Sequence, residues 1–196
     1  MNKDLAREVL IPEGVSVVVS GSEAVVKSGD KELKRSFDMG KVSIKVADGK
    51  VVLVAKGATR RESKMIGTIW AHLKNMVKGC GEDFVYELEV CNVHFPMQVK
   101  IEPATQSSGC GSSGCGGVGE VVVIKSFLGE TTQRVARVMP GANVDIKGNK
   151  ITVISNDIEA AGQTAANLEK ATRLTGRDRR IFQDGIFITK KPYRVI

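Results

Sequence analysis

Arg173, Arg177, Arg179, Arg180, Lys190, Lys191 and Arg194 face only Asp178 and Asp184 across residues 171–196, a local net charge of +5. A guanidinium offers a planar fork of N–H donors that matches phosphate oxygens, and an ammonium offers a compact point charge. Seven such groups near one chain end can neutralise a polyanion backbone and release its condensed counterions. Gly176 allows a bend that aims several guanidinium forks at one phosphate cluster, and Pro192 stiffens the tail carrying Lys190, Lys191 and Arg194. Arg134, Arg137 and Lys125 form a second group of candidate polyanion-binding cations. Arg60, Arg61 and Lys64 read instead as the ordinary charged exterior of a helix.

Other chemistries find little support. The chain has no Gly-x-Ser-x-Gly elbow, no phosphate-binding P-loop, no His-Glu-x-x-His and no paired-carboxylate arrangement, so no catalytic residue and no enzyme activity are expected. His72 and His94 are the only histidines, and neither has a metal-ligand partner at standard spacing, so both read as structural. Cys110 and Cys115 could give two thiolates to zinc, but Cys80 and Cys91 are not spaced as a second pair. The Gly/Ser composition around them reads as a flexible loop over 107–119. No metal and no cofactor are expected. Phe182 could stack on an exposed base, but Ile181, Ile186 and Ile188 surround it and favour core packing. Asp184-Gly185 reads as a turn before the last strand, with no chemistry assigned.

The whole chain of 196 residues carries a net charge of +7, 42% hydrophobic and 26% charged residues. Those are globular proportions, with enough apolar content to build a core. The first 80 residues hold +6 of that charge and residues 81–170 hold −4, so the basic character is segregated along the chain. No apolar run approaches the roughly 20 residues that span a bilayer. The segment MNKDLAREVLIPEG lacks the apolar block of a secretory signal. A cytoplasmic protein with no membrane partner and no small-molecule substrate is expected.

The elements that must carry these cations occur twice. Ser43 to Val54 aligns with Asn143 to Ile154 at an offset of 100, both as alternating strands closed by Asp48-Gly49 or Gly148-Asn149 turns. Val25 to Ser28 aligns with Val123 to Ser126 at an offset of 98. Each hairpin runs into a helix. The first opens on a capping box, Thr59 with Glu62, and is expected to stop at Gly79. Its apolar stripe is Met65, Ile66, Ile69, Trp70, Leu73, Met76 and Val77. The second, capped by Asn156 or Asp157, presents a small-residue seam of Ile158, Ala161, Ala165 and Leu168 and should therefore sit close to its sheet. Phe84, Tyr86, Leu88 and Val90 alternate as a half-buried strand leaving the joint. The fold class expected is α+β: two tandem repeats, 1–81 and 82–196, each an antiparallel or mixed β-sheet packed on one helix.

The chain also resembles a known family. Its end, Leu174, Arg177 and then Arg180-Ile181-Phe182-Gln183-Asp184-Gly185-Ile186-Phe187-Ile188 before Lys190-Lys191, resembles the C-terminal signature of the L-six family of large-subunit ribosomal proteins, in its archaeal and eukaryotic branch. So do Gly67-Thr68, Ala71-His72-Leu73-Lys74-Asn75-Met76, His94-Phe95-Pro96, Phe127-Leu128-Gly129-Glu130, and Arg134 through Met139-Pro140-Gly141. Residues 107–117 stand as an insertion in a hairpin loop of the second repeat. The resemblance implies a structural protein of the large ribosomal subunit, bound to rRNA near the sarcin–ricin region and the translation-factor site, with neighbouring ribosomal proteins as further partners. Two other readings remain: a freestanding RNA-binding module, and a thiol- or zinc-sensing protein using Cys110 and Cys115.

Overall fold

The structure, a computed structural model, describes residues 3–29, 31–47, 49–103 and 119–195. The chain divides into two compact units, Met1–Asp83 and Phe84–Ile196.

The first unit contains β1 (Lys3–Leu10), β2 (Ser16–Ser20), β3 (Glu23–Ser28), β4 (Lys31–Ser36), β5 (Ser43–Ala47), β6 (Lys50–Ala58) and α1 (Arg60–Gly81). They form two three-stranded sheets, β1-β6-β5 and β2-β3-β4, and α1 packs on β1, β6 and β3. The second unit repeats this order with β7 (Phe84–Cys91), β8 (Gln98–Pro103), β9 (Glu120–Lys125), β10 (Arg134–Arg137), β11 (Ala142–Lys147), β12 (Lys150–Ser155) and α2 (Ile158–Ala171). It then adds β13 (Gly185–Lys191) and β14 (Arg194–Val195). Its sheets are β10-β9-β8 and β11-β12-β7-β13-β14. Every described strand pair is antiparallel, and each helix is shared by two sheets, where the sequence suggested one sheet that could be mixed.

The duplication holds at the level of register. Val46 pairs with Val51 and Ile44 with Leu53, while Ile146 pairs with Ile151 and Val144 with Val153. At the other offset, Ala24 and Val26 of β3 are fully buried, as are Val122 and Ile124 of β9. Both strands are central in their sheets, so the same face must enter each core. The units differ at one edge. β13 pairs with β7 in the second unit, whereas β1 pairs only with β6 among the described residues, and the indole N–H of Trp70 donates to its Glu8 carbonyl at 2.9 Å.

Helix α1 begins as expected: the Glu62 carboxylate accepts the Thr59 N–H at 2.8 Å and also the Thr59 hydroxyl. It does not stop at Gly79. Gly79 and Cys80 are buried within the helix, which runs to Gly81 because that face still packs on the core. Helix α2 is capped by Asp157, whose carboxylate accepts the Glu159 N–H at 3.0 Å. A Cβ built on Gly162 would lie 3.0 Å from the Tyr86 hydroxyl, which is the close helix-to-sheet approach the small-residue seam implies. The loop assigned to 107–119 falls almost wholly outside the described residues, as do Cys110 and Cys115.

Candidate nucleic-acid interface

Helix α2 ends at Ala171, and residues 172–184 carry the chain back to β13. Gly176 turns at φ +73°, and Asp178 then organises the segment after it. Its Oδ1 accepts the Arg180 N–H at 2.9 Å, and its carbonyl accepts the N–H groups of Ile181 at 3.2 Å and Phe182 at 3.0 Å. The result exposes Arg173, Arg177, Arg179 and Arg180. Arg173, Arg179 and Arg180, with Lys170, line one open groove of about 1000 Å³ on this unit. Its acidic side chains are Glu169 and Asp184. Arg177 does not line the groove but sits 5.1 Å from the ring of Phe182, which does.

The hairpin cations sit elsewhere and do not line that groove. Lys191 pairs with Arg194 across β13 and β14, both exposed, with the turn at Pro192 and Tyr193. Pro192 thus closes a hairpin instead of stiffening a free tail. Lys190 is engaged by Glu87, Nζ to Oε1 at 2.7 Å, with both side chains about half exposed. The seven residues therefore form two groups, one on the loop and one on the hairpin.

The second group of candidates also separates. Lys125 lies 3.7 Å from Glu102. Arg137 is exposed at the end of β10, and its carbonyl accepts from the Asn167 amide at 3.0 Å. Arg134 is spent on the domain itself. Nε and Nη2 donate to the Glu130 carboxylate at 2.9 and 2.8 Å, while Nη1 donates to the carbonyls of Ala171 at 3.0 Å and Arg173 at 3.1 Å. The same guanidinium lies 4.2 Å from the ring of buried Phe127. The hydrogen bonds from Arg134 hold the Glu130 carboxyl below its usual range, against a smaller upward push from burial. Four of its five N–H directions are thus taken by groups of this unit, at the end of α2.

Asp184 does more than form the turn that Asp184-Gly185 suggests. Only 3% exposed, its Oδ1 accepts the N–H groups of Val93 and His94, the latter at 3.0 Å, and Oδ2 lies 2.6 Å from His94 Nδ1. Burial pushes the Asp184 carboxyl up, but those three hydrogen bonds and the imidazole together push it further down, and the net shift is downward. The His94 ring packs on Phe182, centroids 5.1 Å apart. Phe182 is half-buried between these partners and not a core residue. The one sequence signal for this anchor was His94 itself, one of two histidines in the chain, 90 residues from its partner.

Thiol chemistry gains no support from the described cysteines. Burial pushes the Cys91 thiol up, with the charges of Glu89 and Asp184 adding to it, and burial likewise raises Cys80. Among the described residues no cluster of three or more metal-ligating side chains occurs.

The family sequence model described as "Ribosomal protein L6" matches residues 11–82 and 117–185, one segment in each unit. The chain belongs to the ribosomal protein L6 family. It is therefore a ribosomal protein and not an enzyme. Similar relatives are named "Large ribosomal subunit protein uL6". That of Methanococcus vannielii is 41% identical over 98% of this chain and 97% of its own length. Those of Methanobrevibacter smithii and Methanosarcina mazei are each 38% identical, over 95% and 97% of this chain and 96% and 99% of their own lengths. The L6 match runs to Gly185 and so contains the whole loop 172–184, whereas Lys190, Lys191 and Arg194 lie beyond it.

Proposed function

We propose that this structural constituent of the large ribosomal subunit, working in the cytoplasm, holds rRNA through the arginine loop of its second unit, near the sarcin–ricin and translation-factor region. The observation that supports this reading most is the convergence of Arg173, Arg179, Arg180 and Lys170 on one open groove. A folded RNA presents clusters of phosphates in fixed geometry, and a groove lined by guanidinium forks recognises them by shape more than by base sequence. The Lys191–Arg194 hairpin supplies a second basic contact.

The test is binding of the full chain to an rRNA transcript carrying the sarcin–ricin hairpin, measured across a salt series. Replacing Arg177, Arg179 and Arg180 together by Ala removes three exposed side chains, and the slope of log K against log salt should fall by about 2 to 3. An unchanged affinity and slope would overturn the reading. Sedimentation of the protein with large subunits through a high-salt wash separates a ribosomal constituent from a freestanding RNA-binding module.

A further inference from the structure

The loop 172–184 contains no helix or strand, yet both of its roots are fastened by buried or half-buried polar groups. At the first root, Arg134 bonds the carbonyls of Ala171 and Arg173 while Glu130 holds the guanidinium from the other side. The Thr172 hydroxyl accepts the Ile186 N–H at 2.9 Å and donates to Glu169 at 3.2 Å, which ties the two roots to each other. At the second root, Asp184 gathers Val93 and His94, and the His94 ring packs on Phe182. Arg177 in turn sits on Phe182.

Glu130 is held for this task by an unusual turn. Ser126 and Leu128 both adopt left-handed backbone, at φ 60° and 49°, on either side of fully buried Phe127. The Glu130 N–H closes the turn on the Phe127 carbonyl at 2.9 Å. Non-glycine residues in this region persist only where the surroundings impose it. Here the buried Phe127 ring and the guanidinium above it do so.

We propose that Glu130–Arg134 and His94–Asp184 are two positioning pairs that hold the arginine loop in its RNA-binding shape before RNA arrives. The proposal rests on the reading of the groove as the rRNA contact. Ordering a flexible loop at the moment of binding costs affinity, and rigidifying it beforehand removes that cost. Arg134 on this account touches no phosphate and acts through the backbone of Ala171 and Arg173.

Glu130→Gln separates positioning from simple electrostatics, because the two predict opposite signs. Deleting an acid near a polyanion site strengthens binding if charge alone matters. If Glu130 positions Arg134, the variant binds the sarcin–ricin transcript about tenfold more weakly, with its salt slope unchanged because no phosphate contact is lost. Arg134→Lys keeps the charge but not the fork, and should show the same loss. At the second root, His94→Asn keeps a side-chain donor toward Asp184 and should bind better than His94→Leu. Backbone amide relaxation of residues 173–183 in the RNA-free full chain gives the independent readout: order in the native protein, loss of order in Glu130→Gln and Arg134→Lys. Equal or tighter binding by Glu130→Gln, or a loop as ordered as the native one in both variants, overturns the proposal. If the native chain itself ignores the transcript while its loop is ordered and loosens in the variants, the positioning pairs stand and the assignment of the groove to this RNA is what fails.

Discussion

Asp184→Ala tests the anchor under the arginine loop. The carboxylate is 3% exposed and gathers two backbone N–H groups and an imidazole nitrogen. Truncation leaves the Val93 and His94 N–H groups without their carboxylate, but Val93 is 67% exposed and water reaches this turn, so each lost hydrogen bond costs about 1 kcal/mol. The imidazole, 35% exposed, can turn to water and adds less. A total loss of about 2–3 kcal/mol follows. That is a large part of the 5–15 kcal/mol that holds a typical domain together. With a urea slope of about 2 kcal/mol per M, the unfolding midpoint moves down by about 1 M. The assay is a urea titration of the full chain followed by two-dimensional amide NMR, reading the resonances of β7 and β13, the strands flanking the anchor. Asp184→Asn keeps the size and one acceptor oxygen and should lie between native and Ala. A loss under about 1 kcal/mol for the Ala variant would mean that water satisfies both N–H groups, and the idea of a carboxylate anchor would be wrong.

Two further expectations follow from the geometry. Because the Asp184 carboxyl is held below its ordinary value of 3.8, its contribution to stability is fully present above that value and is lost only as pH falls through the lower folded one. Urea midpoints of native protein and Asp184→Asn should therefore stay separated at pH above 3.8 and converge only in stronger acid. Gly162→Ala and Gly67→Ala should have opposite signs although both lie inside helices. At Gly162 the new methyl meets the Tyr86 hydroxyl at 3.0 Å and Cζ at 3.5 Å, with the ring buried, so strain outweighs the helix-propensity gain and about 1 kcal/mol is lost. At Gly67 the nearest atom is Arg7 Nη1 at 3.9 Å, so propensity acts unopposed and about 0.5–1 kcal/mol is gained, read from thermal unfolding of each variant.

Much of the architecture was legible because it is governed by rules that act over a few residues. Alternation and two positive-φ turns placed the hairpins, and the offset of 100 carried one register onto the other, Val46 with Val51 and Ile146 with Ile151. Helical spacing found the buried faces of α1 and α2, and Thr59-Glu62 and Asp157 marked their starts. Gly79 misled because a glycine ends a helix only where packing lets the chain leave, and here the core holds its face for two more residues. The clustering of Arg173, Arg177, Arg179 and Arg180 was also visible as charge along the chain.

What each cation does was not visible there. Arg134 resembled a surface base until the fold brought it to the carbonyls of Ala171 and Arg173, 37 and 39 residues away. Asp184 resembled a turn residue until β13 paired with β7 and set it against Val93 and His94. The amino-acid order by itself determined two copies of one strand-and-helix unit and a basic C-terminal segment, because backbone periodicity and net charge are properties of neighbours. Only the tertiary structure decided which arginines line a groove and which side chains hold them there, because a hydrogen bond depends on ångström-scale placement of groups that packing, not sequence proximity, brings together.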